Sequence, residues 1–264
     1  MTDYLNSALY GWYPYICLTV LALGSLVRFD GAQYTWRSGS SQLLRKRQFR
    51  WGSNLFHVGI LVVIAGHFAG FLMPDWAVAW LISPAQHELL AMVVGGLAGV
   101  IAIIGLSLLI HRRLVDPRIR TTSRRWDIAI ILMLWSQLAL GLLTVPVSAQ
   151  HMDGAMFQTL VTYVKGIVLL HPDVAGVLIG TPLIYRVHIL LGFTIFLVSP
   201  FTRMVHIWSA PIWYLGRPGF QIVRNRQSVG KRARIEQLAV ASLMAKAASP
   251  APAGTQSPRS ATGD

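Results

Sequence analysis

Ser53-Asn54-Leu55-Phe56-His57-Val58-Gly59-Ile60-Leu61-Val62-Val63-Ile64-Ala65-Gly66-His67-Phe68-Ala69-Gly70-Phe71-Leu72 is an unbroken apolar run with no Asp, Glu, Lys or Arg, and it holds two histidines. A helix of about 20 such residues crosses the roughly 30 Å hydrocarbon core of a bilayer. Four more stretches are apolar enough to do the same, which places spans at about 12–27, 53–72, 89–110, 127–147 and 183–203. The fold class expected is all-α, an integral membrane bundle of five transmembrane helices. Composition agrees, since 54% of the residues are hydrophobic and 12% charged, against about 25% charged residues in soluble domains.

Charge gives the bundle a direction. Arg28, Arg37, Arg45, Lys46, Arg47 and Arg50 follow the first span, and Arg112, Arg113, Arg118, Arg120, Arg124 and Arg125 follow the third. Only Lys165 and Arg186 fall on the other side. The positive-inside rule then puts the N-terminus outside and the C-terminus in the cytoplasm of a multi-pass protein of the cell membrane. Nucleic-acid binding, the other reading of a pI near 10.7, fails because the basic blocks flank bilayer-length segments and form no continuous face.

The expected membrane domain covers 1–226. The tail, 227–264, starts basic with Lys231, Arg232 and Arg234, which either solvate it or touch anionic lipid. From about Val240 it turns Ala-, Pro-, Ser- and Gly-rich and is expected to be disordered. The lone Cys17 excludes an intrachain disulfide and any Cys-ligated zinc or iron–sulfur site. Met1 to Gly11 lacks the positive n-region of a signal peptide, so the first span is expected to be retained.

Chemistry is carried by histidine. His57 and His67 lie in the second span, His188 in the fifth and His206 just beyond it. A single membrane histidine fits a helix–helix hydrogen bond or a proton path as well as it fits metal ligation. Four at complementary depths on two antiparallel spans favour ligation of two b-type haems, because paired imidazoles fill both axial positions of a low-spin haem. Topology pairs His67 with His188 toward the outside and His57 with His206 toward the cytoplasm. One mismatch stands: His57 and His67 are separated by roughly 15 Å on an ideal helix, His188 and His206 by roughly 27 Å. Helix tilt, inclined porphyrins and a kink at Pro200 are the expected remedies.

Other residues belong to the surroundings. Gly66 and Gly59 adjoin histidines and leave room either for a flat macrocycle or for helix packing; Gly95, Gly96 and Gly99 fit packing. Arg186 and Arg203, near the two ends of the fifth span, are candidates for haem propionates. His87, beside Glu88, fits a proton acceptor for a quinol or an interfacial anchor. His151 fits a turn partner or a quinol hydrogen bond, while His111 and His171 read as solvated.

The chain resembles the gamma subunit, a di-haem cytochrome b, of membrane-bound respiratory nitrate reductase. The likeness runs from about Tyr13 to Arg226. It rests on Tyr13-Pro14-Tyr15-Ile16, Gln33-Tyr34-Thr35-Trp36-Arg37, Ser53 to His57, Gly66-His67-Phe68, Ala149-Gln150-His151-Met152-Asp153-Gly154 and Val205-His206-Ile207-Trp208-Ser209. The resemblance implies His67 and His188 as ligands of the outer haem iron, and His57 and His206 as ligands of the inner one. It further implies quinol oxidation near the outer haem and electrons passing to an iron–sulfur beta subunit and a molybdenum-cofactor alpha subunit, where nitrate is reduced. A quinol-binding lysine in that family aligns with His87, a departure at the candidate quinol site. The competing readings are a cytochrome b subunit of another reductase complex, and a haem-free histidine-containing transporter or anchor.

Overall fold

The computed structural model describes residues 2–32, 46–78, 80–150, 152–208, 234 and 236–244. Five helices are long and apolar enough to cross a membrane: α1 (Asp3–Ala32), α2 (Arg47–Leu72), α3 (Pro84–Val115), α4 (Arg125–Ser148) and a fifth over Leu183–Phe201. A shorter apolar helix, α5 (Ala155–Val168), precedes the last span, whose regular α-helical part is α6 (Leu183–Val198). The described residues contain no strand. Large side chains such as Leu61 and Phe68 are more than 60% exposed on the spans. Apolar surface of that extent on long helices suits hydrocarbon surroundings rather than water.

Local chemistry sets where the spans begin. At α3, Ser83 Oγ accepts from the Gln86 N–H at 3.3 Å, Gln86 Oε1 accepts from the Ser83 N–H at 2.9 Å, and Pro84 follows the cap. This capping box starts the helix five residues before the apolar run suggests and carries His87 into its first turns. α1 also outruns its apolar stretch, through a π-helical segment at Ser7–Trp12. Tertiary contacts hold that extension: Asn6 Nδ2 donates to Ala175 O at 2.8 Å, and Tyr163 OH donates to Tyr10 O at 2.9 Å. Tyr163 is fully buried, and burial raises its hydroxyl pKa well above the ordinary tyrosine value.

The α4–α6 connection is therefore a structured cap on one end of the bundle. Tyr10, Tyr163, Ile167, Val174, Ala175 and Leu178 form its buried core. Along the bundle, α2 packs on α3, α3 on α4, and α6 on both α4 and α1. The α2–α3 approach is backbone against backbone: a Cβ on Gly59 would sit 2.6 Å from Ala102 N, and one on Gly52 would sit 3.1 Å from Gly105 O. Gly59 thus serves helix packing, not a macrocycle. Gly99 does the same against Leu142, whereas Gly66 faces open space.

The fifth span is not one helix to residue 203. It passes from α6 into two 3₁₀ turns, Ser199–Phe201 and Arg203–Ile207, separated by Thr202 in an extended conformation (φ −116°, ψ −175°). Pro200 weakens the α-helical register there, and Thr202 ends it. The chain divides into two units, Met1–Ala210 and Pro211–Asp264. In the second, residues 236–244 are helical and exposed, where the composition from Val240 suggests coil. Apart from Arg234, the rest of the tail lies outside the described residues, as do Gln33 to Arg37.

Gly59→Leu is expected to force α2 and α3 apart, with overpacking of this kind costing about 1–3 kcal/mol or more. Gly66→Ala is expected to leave the fold intact. Thermal unfolding of the two detergent-purified variants, followed by size-exclusion monodispersity, checks the contrast.

Candidate functional site: two histidine pairs in the bundle

His57 and His67 stand ten residues apart on α2, and both rings are exposed on its surface. Each is turned by a bond to its own helix. His57 Nδ1–H donates to Ser53 O at 2.7 Å and His67 Nδ1–H to Val63 O at 2.8 Å. A carbonyl only accepts, so the ring proton is on Nδ1 in each case and the Nε2 lone pair points away from the backbone. His206 does the same from its 3₁₀ turn, with Nδ1–H donating to Arg203 O at 2.6 Å.

Across the bundle the rings meet in pairs. The centroids of His57 and His206 are 6.3 Å apart with planes inclined by 64°. Those of His67 and His188 are also 6.3 Å apart, inclined by 37°. A metal–imidazole bond of about 2.0–2.1 Å, with the ring centre roughly 1.1 Å further out, puts two opposed axial imidazoles about 6.3 Å apart, centre to centre. Both pairs have the spacing that a shared haem iron requires. Among the described residues no three or more His, Cys, Asp or Glu side chains gather into a protein-only metal site. A haem needs only two axial ligands, because the porphyrin supplies the rest.

His188 is held differently from the other three. It lies half-buried against Gly141, where a Cβ would come within 3.1 Å of its Cε1. Gln137 Nε2 donates to His188 O at 3.1 Å and lies 3.4 Å from His188 Nε2, while His188 Nδ1 is buried without a hydrogen-bond partner. Gly141 and Gln137 escape sequence reading, since one more glycine and one amide in a membrane helix carry no distinctive pattern.

The two arginines have protein partners. Arg186 Nη2 donates to Asn6 Oδ1 at 3.1 Å, and its guanidinium lies 4.9 Å from the Tyr10 ring centre. Its Nε is buried with no partner, a cationic donor left open two residues before His188 on the same helix. Arg203 is instead forked onto Asp127, Nε to Oδ1 at 3.0 Å and Nη2 to Oδ2 at 3.0 Å. The break before His206 is clamped from α1, where Arg28 Nη1 donates to Pro200 O at 2.6 Å and to Thr202 O at 2.8 Å.

His87 sits at the capped end. A line of aromatic rings runs toward it from His67: His67 to Phe71 at 5.5 Å, Phe71 stacked on Phe157 at 5.9 Å, and Phe157 to His87 at 4.6 Å. Beside it, Glu88 is buried and its Oε2 accepts from the Gly154 N–H at 3.0 Å. Gly154 has φ +81°, and a Cβ there would meet Ala85 N at 2.7 Å. Glycine is thus required twice, for the left-handed backbone and for the close approach. His111 is exposed, with Nδ1 3.2 Å from Gln48 Nε2, and His171 is exposed as well. His151 lies outside the described residues.

Comparison with known proteins gives a consistent answer. The profile of the family described as nitrate reductase gamma subunit matches residues 6–226. The chain is 48% identical over 227 residues to the respiratory nitrate reductase 2 gamma chain of Escherichia coli (strain K12), covering 86% of this chain and 100% of that one. It is 46% identical to the respiratory nitrate reductase 1 gamma chain of the same organism, covering 85% and 99%. With the nitrate reductase gamma chain of Bacillus subtilis (strain 168) it shares 38% identity, covering 83% and 97%.

Arg28→Met is expected to strand the Pro200 and Thr202 carbonyls in a low-dielectric end of the bundle. Hydrogen bonds to charged groups are each worth about 1.5–3 kcal/mol, so the thermal midpoint of the purified protein should fall by several degrees. An unchanged midpoint would show that the break at Thr202 holds without this clamp.

Proposed function

Because the chain belongs to the nitrate reductase gamma subunit family, we propose that it holds two b-type haems and serves as the quinol-oxidising electron-transfer subunit of a respiratory nitrate reductase. The observation that carries this reading is the equal 6.3 Å separation of two imidazole pairs within membrane-length helices. His67 and His188 would hold one haem, and His57 and His206 the other. Each bound haem supplies one-electron transfer with no open axial position for a substrate.

The chain's own residues divide the remaining work. Carbonyls of Ser53, Val63 and Arg203 take the Nδ1 protons of three ligands, which fixes the tautomer and leaves Nε2 basic toward the metal. The open space at Gly66 leaves room for a macrocycle beside His67, and the unpartnered Nε of Arg186, two residues before His188, is the candidate donor to a propionate at that end. The Arg-rich end, with His57 and His206, lies toward the cytoplasm, and the end capped by α5 toward the outside, a reading supported by the distribution of Arg and Lys. His87 accepts a proton from quinol at that outer end, and Glu88 fixes the adjoining backbone by holding Gly154. Electrons leave on the cytoplasmic side for an iron–sulfur beta subunit and a molybdenum-cofactor alpha subunit, which carries out nitrate reduction.

The pairing has a direct genetic test. His67→Ala and His188→Ala should each remove the same haem and abolish quinol oxidation, whereas His57→Ala and His206→Ala should each remove the other. Redox titration of the four variants checks this, and loss of different haems from His67 and His188 variants would refute it. At the quinol site, His87→Ala should lower quinol turnover by roughly 10²-fold, the lower range for a general base, with both haem spectra retained. Unchanged quinol kinetics would remove His87 from the site.

A further inference from the structure

Three of the four paired histidines sit on α-helices, but His206 does not. Its 3₁₀ turn, Arg203–Ile207, follows the extended Thr202, so no continuous helix from α6 holds the ring at its level. Its Nδ1–H donates to Arg203 O at 2.6 Å. The position of Arg203 therefore sets the position of the ring. Arg203 is itself anchored from another helix, because Asp127 in the first turn of α4 accepts from its Nε and Nη2, each at 3.0 Å. A two-point Arg–carboxylate pair fixes orientation as well as distance. Asp127 is in turn held by the Arg124 N–H at 3.4 Å and by Arg113 at 3.9 Å.

Resting on the two-haem reading above, we infer that Asp127 is a positioning residue for the inner haem, aiming His206 at His57 through Arg203. Arg203 is thus a strut of the ligand turn, which differs from the propionate partner its position in sequence suggests. The carboxylate also has an electrostatic consequence. It neutralises a guanidinium three residues from the ligand, and removing its charge leaves that cation uncompensated. A positive charge near the iron favours the ferrous state over the ferric.

The test is redox titration and electron paramagnetic resonance of the full-length, haem-loaded protein, with the wild type measured beside Asp127→Asn and Asp127→Glu. Asp127→Asn should raise the midpoint potential of the inner haem and broaden its low-spin signal, with the outer haem unmoved and both haems at full stoichiometry. Asp127→Glu, which keeps the charge, should return the inner potential toward the wild-type value. Unchanged inner potential and signal in Asp127→Asn, or equal shifts at both haems, would overturn the inference. If Asp127→Asn does not accumulate, Arg203→Lys keeps the charge but cannot fork; it should broaden or deplete the inner haem alone, and a wild-type inner signal would refute the strut. A wild type with fewer than two haems would instead sink the two-haem reading, so the two failures are distinguishable.

Discussion

An imidazole on a membrane helix has two nitrogens to satisfy where no water is available, and an unsatisfied polar group there costs several kcal/mol. His57, His67 and His206 each commit Nδ1 to a backbone carbonyl three or four residues back. The other nitrogen is left for a partner from a different helix. Much of the bundle follows from bringing that partner to the right depth. α2 must run antiparallel to the last span, the two pairs must sit at matching levels, and the last span must depart from a straight helix, which from His188 to His206 would outreach the ten residues of α2. Thr202 and the 3₁₀ turns on either side rise more per residue than an α-helix, so they serve by breaking the straight helix axis and not by compacting it, with Arg28 and Asp127 holding the broken segment from α1 and α4.

The two pairs are built by different means. His67 and His188 lie toward a cap in which α5, Tyr10 and Tyr163 form a small dry core. His188 is placed there by packing against Gly141 and by the Gln137 amide. His57 and His206 lie toward the arginine-rich end, where ion pairs and carbonyl clamps replace the packed core. The His67–His188 pair should therefore respond chiefly to changes in packing, and the His57–His206 pair to changes in charge.

Much of this was legible in the sequence because the governing signals are local. Twenty apolar residues make a span whatever surrounds them. The features that were not legible depend on distant partners. Asp127 and Arg203 are 76 residues apart in sequence, so nothing near Arg203 marks it as paired. The start of α1 is fixed by Ala175 and Tyr163, far along the chain. Gly59 adjoins the segment after His57 and suggests room for a cofactor, yet it serves contact with Ala98 and Ala102 on α3. Pro200 signalled a disturbance, but a proline alone does not say that the next turn will be 3₁₀ or that Thr202 will be extended.

The proposed function requires two iron centres, each closed on both sides by imidazole. Haem content of the purified wild-type chain, measured per polypeptide together with the carbon monoxide difference spectrum, addresses it with no mutation at all. Two b-type haems per chain, both low-spin and neither binding carbon monoxide, is the result the histidine pairs predict. A single haem, no haem, or a fraction that binds carbon monoxide in the intact protein would contradict it.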